Sequence, residues 1–313
     1  MNKNLNLIGY GIGFVALLLA PMLIYPVLVM KVLCYALFAC AFNLLLGYTG
    51  LLSFGHAAFF GTAAYVAGHA IKVWGMPPVL GLLTGTASAA VLGYVFGALA
   101  IRRQGIYFAM ITLALAQMMF FYFLQAPFTG GEDGLQGVPR GTLFGLDLSN
   151  DLNLYYFVLA IFVFVFWLIY RTIHSPFGQI LKAIRENEPR AISLGYDVNK
   201  YKLLAFVLSA TLAGLAGATK MLVFHFATLS DAYWQTSGEV VLMTLLGGMG
   251  TVLGPVVGAA LIVVLQDELS DKVGSMVTVI QGVIFVVCVL AFRRGIVGEI
   301  AAFIRSHSKA PPP

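Results

Sequence analysis

The chain has 313 residues, of which 60% are hydrophobic and 10% charged, with a formal net charge of +5. A soluble domain carries roughly 25% charged residues, so water is not the main solvent here, and the basic residues mark the ends of apolar runs instead of gathering on a face that would bind nucleic acid. Cys34, Cys40 and Cys288 each lie inside an apolar run, a distribution that indicates neither a disulfide framework nor a metal site and leaves core packing as their expected role.

A helix needs about 20 residues to cross a bilayer, and runs of that kind succeed one another along the chain. The first, Ile8 to Val29, is too long for a signal-peptide core and lacks a small-residue cleavage pattern, so it reads as a retained helix. Val32 to Leu46, Phe54 to Ile71, Val79 to Ile101 and Ile106 to Gln125 follow. A Gly-rich, acidic loop, 126–153, precedes Leu154 to Ile173, and a basic loop, 172–201, precedes Leu203 to Phe224. The apolar stretch from Ser237 to Leu265 is too long for one straight helix and is interrupted by Gly247, Gly248, Gly250, Gly254 and Pro255, so it is divided near Gly250. A last run, Val273 to Phe292, stops at Arg293 and Arg294, leaving 295–313 as a tail. The fold class that follows is an all-α integral membrane protein, a single polytopic helical bundle of about ten segments, two of them bounded by glycine-rich breaks.

Lys and Arg in short loops favour the cytoplasm. With both termini inside, Arg102, Arg103, Arg171 and the basic residues of 172–201 all fall on the cytoplasmic side, together with Arg293 and Arg294, while 126–153 becomes an external loop. Reading Ser237 to Leu265 as one crossing would put Arg293 and Arg294 outside, so charge supports the break at Gly250.

Interrupted helices in two halves of a membrane protein point to a transport site, because broken backbone at membrane depth must face protein or a watery cavity. Gly47 and Gly50, with Ser53 and His56 beside them, form one such interruption; Gly248, Gly250 and Gly254 form the other. These are the candidate pathway residues, against the alternative of close helix packing or, for Ser53 and His56, a local backbone hydrogen bond. Gly81, Gly85, Ala89, Gly93 and Gly97 recur every four residues with no polar chemistry and read as packing alone. The spans hold no Asp or Glu except Glu239 near an end, which argues against an ion-coupled carrier. Lys220 lies late in its span and is expected to snorkel, with Glu239 or Asp231 as alternative partners. No phosphate-binding loop, HExxH or GxSxG occurs, so neither ATP hydrolysis nor an intramembrane enzyme is expected of this chain.

Within 172–201, Ser175 and Pro176 open a helix, and Phe177, Ile180, Leu181 and Ile184 form its apolar stripe. Glu188 before Pro189 should turn the chain into a second short helix closed by Gly195. Structured loops of this length are usually functional, and this one reads as a docking element for a cytoplasmic partner.

Three stretches carry a specific resemblance: SPFGQILKAIRENEPRAISLGYDVNKYKLLAFVLSATLAGLAGA from Ser175, NLLLGYTGLLSFGHAAFFGTAAYVAG from Asn43, and LMTLLGGMGTVLGPVVGAAL from Leu242. They resemble the M-type (LivM) permease family of high-affinity branched-chain amino acid importers. The resemblance implies an ABC importer permease in the bacterial inner membrane, working with a homologous second permease, two ATPase subunits that bind ATP, and an external solute-binding protein, with lipid around it and no cofactor of its own. It makes 172–201 the coupling segment, with Phe177, Ile180 and Ile184 as anchors in an ATPase groove, Arg185, Glu186 and Glu188 as polar contacts, and Gly195 as the closing cap. Related permeases that handle urea, short amides or other amino acids are the alternative, followed by an ion-coupled carrier or channel.

Overall fold

A computed structural model describes residues 13, 15–143, 145–291 and 295–299. A helical stretch, α1 (15–23), breaks at Tyr25 and is followed by α2 (Pro26–Thr49), α3 (His56–Lys72), α4 (Pro78–Ala100) and α5 (Ile106–Gln125). After a segment with two 3-10 turns and a small antiparallel hairpin, Thr142–Leu143 against Leu146–Asp147, come α6 (Asp151–His174), α7 (Pro176–Glu186), α8 (Glu188–Ser193) and α9 (Val198–Phe224). The chain continues through α10 (Trp234–Gly247), α11 (Gly254–Val273) and α12 (Val277–Ala291). The tail from 300 onward lies outside the described residues, as does the side chain of Cys288; Cys34 and Cys40 are buried.

Among the described residues five helices, α2, α4, α5, α6 and α9, are each long and apolar enough to cross a membrane by length and composition alone. The chain is a multi-pass, all-α membrane protein. Helices α2 and α9 form its centre and pack on each other, while α3 and α4 close around α9. Small residues permit the approach. A Cβ on Gly217 of α9 would lie 2.0 Å from the Phe60 carbonyl oxygen of α3, and one on Gly85 of α4 would lie 2.5 Å from that of Ala63. The four-residue repeat of α4 is therefore a packing stripe, with Gly93 against Ala210 and Ala89 against Gly214.

Three boundaries differ from those expected. The first two segments divide at Tyr25, because Pro26 takes the first helical position, where its missing N–H costs nothing. Lys31, expected in a loop, lies in α2 and pairs with Asp267 at 3.1 Å. Helix α11 runs on to Val273, so the stretch Asp267 to Asp271, expected as a loop, is helical. The corner between α7 and α8 sits at Asn187, whose side chain accepts from the Arg190 N–H at 3.0 Å, and Glu188 is already helical.

The helix ends group into two faces of the bundle. At one, Lys72 donates to the Gln136 carbonyl at 2.6 Å, and residues 126–153 are tied to the end of α9 by the Leu135–Ala227 bridge. At the opposite face lie the end of α2, the α10–α11 junction, and α7 with α8.

Candidate functional site

At the last turn of α2 a helix must leave its final carbonyls without intrahelical donors. Gly50, left-handed at φ 75°, returns its N–H to Leu46 O at 3.2 Å, and the neighbouring Gly47 carbonyl accepts from the guanidinium of Arg185 on α7. A cation there also complements the negative end of the helix dipole. Lys182, one turn earlier on α7, stands 5.6 Å above the ring of Tyr48.

The second glycine break meets the same turn. Helix α10 ends at Gly247, and Gly248 and Gly250 take φ values of 123° and 77° that only glycine adopts readily. The backbone freed there is taken up by Asn43 of α2: the Gly250 N–H donates to its Oδ1 at 2.9 Å, and its Nδ2 donates to Thr251 O at 2.8 Å. Thr251 restarts the helix, its hydroxyl accepting from the Gly254 N–H at 3.0 Å and donating to Gly248 O at 2.7 Å. A Cβ on Gly47 would fall 2.7 Å from the Gly250 nitrogen, so the two breaks touch backbone to backbone. One on Gly250 would fall 3.3 Å from Arg185 Nη1. The two interruptions, far apart in sequence, form a single junction, and the head of Arg185, an otherwise exposed residue, lies against it.

The stretch leading into α3 is largely buried beside this junction, and three amides there meet hydroxyls. Phe54 donates to Thr112 Oγ1 at 3.2 Å, Gly55 to Ser53 Oγ at 3.2 Å, and Ala57 to Ser237 Oγ at 2.8 Å. His56 meets Ser209 Oγ at 2.8 Å through Nε2; since that hydroxyl donates to Ala41 O at 2.6 Å, Nε2 carries the proton. The rings of Phe42, Phe59 and Phe206 meet the imidazole edge to face. Both Ser53 and His56 are fully buried. They brace the start of α3, whereas Gly50 and Gly250 reach the surface.

The loop helices form as the periodicity indicates, but their apolar stripe has an internal partner. Leu181 and Ile184 are buried, and Ile184 clusters with Ala191, Val198, Ile180 and Tyr201. Phe177 stacks on Tyr201 at 5.9 Å. Ile184 is covered from within the chain, whereas Phe177 and Ile180 stay partly exposed: amphipathicity shows that a face is covered, not by which chain. Glu188 is also engaged internally, accepting from Lys202 at 2.7 Å and Gln104 at 2.9 Å. Glu186 is exposed, and Gly195 follows α8 at φ 87°. Next to α9, Asp197 caps the helix, and hydrogen bonds from the Lys200 side chain and amide hold its carboxyl below the usual range. Ile192, Leu194 and Tyr196 are exposed on this face, and Ile192 and Tyr196 line a depression of about 480 Å³ with Ile101, Arg102 and Glu188.

At the other face Lys220 does not snorkel. It pairs with Asp231 at 2.8 and 2.9 Å, both residues buried, with Phe226 4.9 Å below the ammonium. Arg140 there bonds Asp151 at 2.7 Å and the Val223 carbonyl at 2.8 Å. Sequence reasoning missed Asn43; a lone amide inside an apolar run was the available signal.

Comparison with known proteins gives a consistent set of likenesses. The family described as "Branched-chain amino acid transport system / permease component" matches residues 26–290. The chain is 28% identical over 266 residues to the high-affinity branched-chain amino acid transport system permease protein LivM of Escherichia coli, covering 76% of this chain and 61% of that protein's length. It is 24% identical to BraD of Pseudomonas aeruginosa, a permease protein of the same kind of system, across 85% of this chain and 92% of BraD. It is 28% identical to the ribose import permease protein RbsC of Bacillus subtilis, across 74% and 73%. No solved structure matches.

Proposed function

The chain belongs to the branched-chain amino acid transport permease family, and from that premise we propose that it is one of two homologous permeases in an ATP-driven importer of branched-chain amino acids. The observation that carries the reading is the junction itself. An element of two short helices, suited by its position to receive a partner, is bonded directly to the point where two interrupted helices meet. In this reading α7 and α8 face the cytoplasm and an ATPase subunit, with Ile192, Leu194 and Tyr196 as the contact surface, and ATP is bound and hydrolysed on two partner subunits. The segment 126–153 faces outward toward a solute-binding protein, the membrane is the bacterial inner membrane, and the chain itself uses no cofactor. Gly47, Gly50, Gly248, Gly250 and Gly254 shape the path shared with the second permease.

The test is reconstitution of the chain with the permease, ATPases and binding protein encoded beside it, followed by uptake of leucine with isoleucine, valine, ribose and urea as competitors. ATP-dependent leucine accumulation blocked by isoleucine and valine is the expected result. Competition by ribose alone would move the substrate to the class named for RbsC, and accumulation without ATP would sink the reading altogether.

A further inference from the structure

We infer that Arg185 is a mechanical latch, a positioning residue that holds the Gly47 and Gly250 interruptions together and transmits movement of α7 to them. The family resemblance makes Arg185 a polar contact for an ATPase subunit. The structure turns its head inward. Its guanidinium donates to the Gly47 carbonyl, its Cγ would be 3.2 Å from a Cβ on Gly50, and its Nη1 would be 3.3 Å from one on Gly250. The path onward is short and continuous: from Gly47 one turn back to Asn43, and from the Asn43 amide to both Gly250 N–H and Thr251 O. Lys182 over Tyr48 gives α7 a second hold on the same turn of α2.

The chemistry of the hold suits a latch. Glu188, Asp231 and Asp151 each fix a cation through a carboxylate. Arg185 has only a carbonyl partner among its hydrogen bonds in the described residues, a bond that water can replace more readily than a buried ion pair. If α7 shifts by even an ångström or two, the bond opens, the orphan carbonyl of Gly47 is solvated, and this turn of α2 keeps only the hydrogen bonds of Asn43 to the α10–α11 junction. Small displacements at packed, two-state junctions are how switching elements amplify motion.

This inference rests on the transport reading for its consequence but not for its physical content, and the two are tested separately. The first arm is amide hydrogen exchange on the isolated permease in detergent, comparing wild type with Arg185→Ala and Arg185→Lys. Exchange at the Gly250 amide is expected to rise about tenfold in Arg185→Ala, the loss of one charged hydrogen bond, with amides of α4 unchanged and Arg185→Lys in between. Unchanged exchange at Gly250 would overturn the latch, whatever transport does. The second arm uses the reconstituted complex. Arg185→Ala is expected to retain its ATPase subunits yet move several-fold less solute per ATP hydrolysed, with partial rescue by Arg185→Lys. A wild-type ratio in Arg185→Ala despite faster exchange would overturn the coupling role. Wild-type transport lacking ATP dependence would instead sink the transport reading and leave the exchange result standing.

Discussion

Both faces of the bundle anchor a chain segment with cations, yet they do it differently. At the Lys220 face the two buried cations each have a carboxylate: Lys220 with Asp231, Arg140 with Asp151. Thr228 adds its N–H to Asp231 at 3.1 Å, so α9 and the turn after it are stapled by charge on charge, while Arg140 also donates to Val223 O and ties segment 126–153 to the end of α9. At the Arg185 face the junction is held by neutral backbone groups, an amide side chain and one guanidinium on a carbonyl. Removing a member from a buried ion pair leaves an uncompensated charge, whereas removing a hydrogen bond to backbone leaves a group that water can reach. The first construction favours one state; the second allows two.

The largest effect should come from splitting the strongest staple. Lys220→Met strands Asp231, which is 3% exposed, and is expected to cost roughly 3 to 5 kcal/mol. Thermal unfolding in detergent should show a clear drop in midpoint, and Lys220→Met combined with Asp231→Leu should recover most of it. A single variant as stable as wild type would mean the pair is solvated.

Next in size is Asn43→Leu, which keeps the volume of a residue only 2% exposed and removes both bonds to Gly250 and Thr251. Two backbone groups are left unpaired, for a loss of about 3 kcal/mol. Amide exchange should rise across the α10–α11 junction and stay unchanged at the Lys220 face. Exchange rising equally at both faces would break the contrast between them, since it would make the bundle one cooperative unit.

How much of this was legible follows from what a sequence pattern encodes. The small-residue stripe of α4 and the division near Gly250 could be read because period and glycine placement are local properties. Tyr25–Pro26 was readable in principle, but the apolar run to Val29 outweighed the proline. The paired meeting of Gly47 with Gly250, and the Asn43 clamp between them, depend on a contact across about 200 residues of chain, which no local period carries. The stripe of α7 was legible as a stripe; its covering by Val198 and Tyr201 was not, for the same reason. For Lys220 the sequence favoured snorkelling and offered Asp231 only beside Glu239, because which acid returns to the helix is set by the turn after it.

A smaller effect sharpens the contrast within the Arg185 face. Phe177→Ala removes a ring pair with Tyr201, worth about 1 kcal/mol, and should loosen α7 while leaving most of the ATPase partner bound. Ile192→Asp, at a side chain 57% exposed, should leave stability unchanged and release that partner. Affinity-tagged permease and measured subunit stoichiometry distinguish the two, and the opposite ranking would return the docking surface to the stripe of α7.

The smallest effect is expected at Lys31, and it separates burial from charge as the source of strength at the stapled face. Lys31 meets Asp267 at 3.1 Å, nearly the geometry of Lys220 with Asp231, but the two side chains are 25% and 49% exposed. An exposed pair contributes about 0 to 1 kcal/mol, so Lys31→Ala should lower the unfolding midpoint only slightly. Raising ionic strength from about 0.1 M to 1 M shortens the screening length from about 10 Å to about 3 Å. The small gap between wild type and Lys31→Ala should then close, while the gap for Lys220→Met persists, because salt does not penetrate the site where Asp231 is enclosed by Thr228 and the end of α9. Should both gaps close together, the Lys220 pair is reached by solvent, and the distinction between a fixed face and a releasable one loses its electrostatic basis.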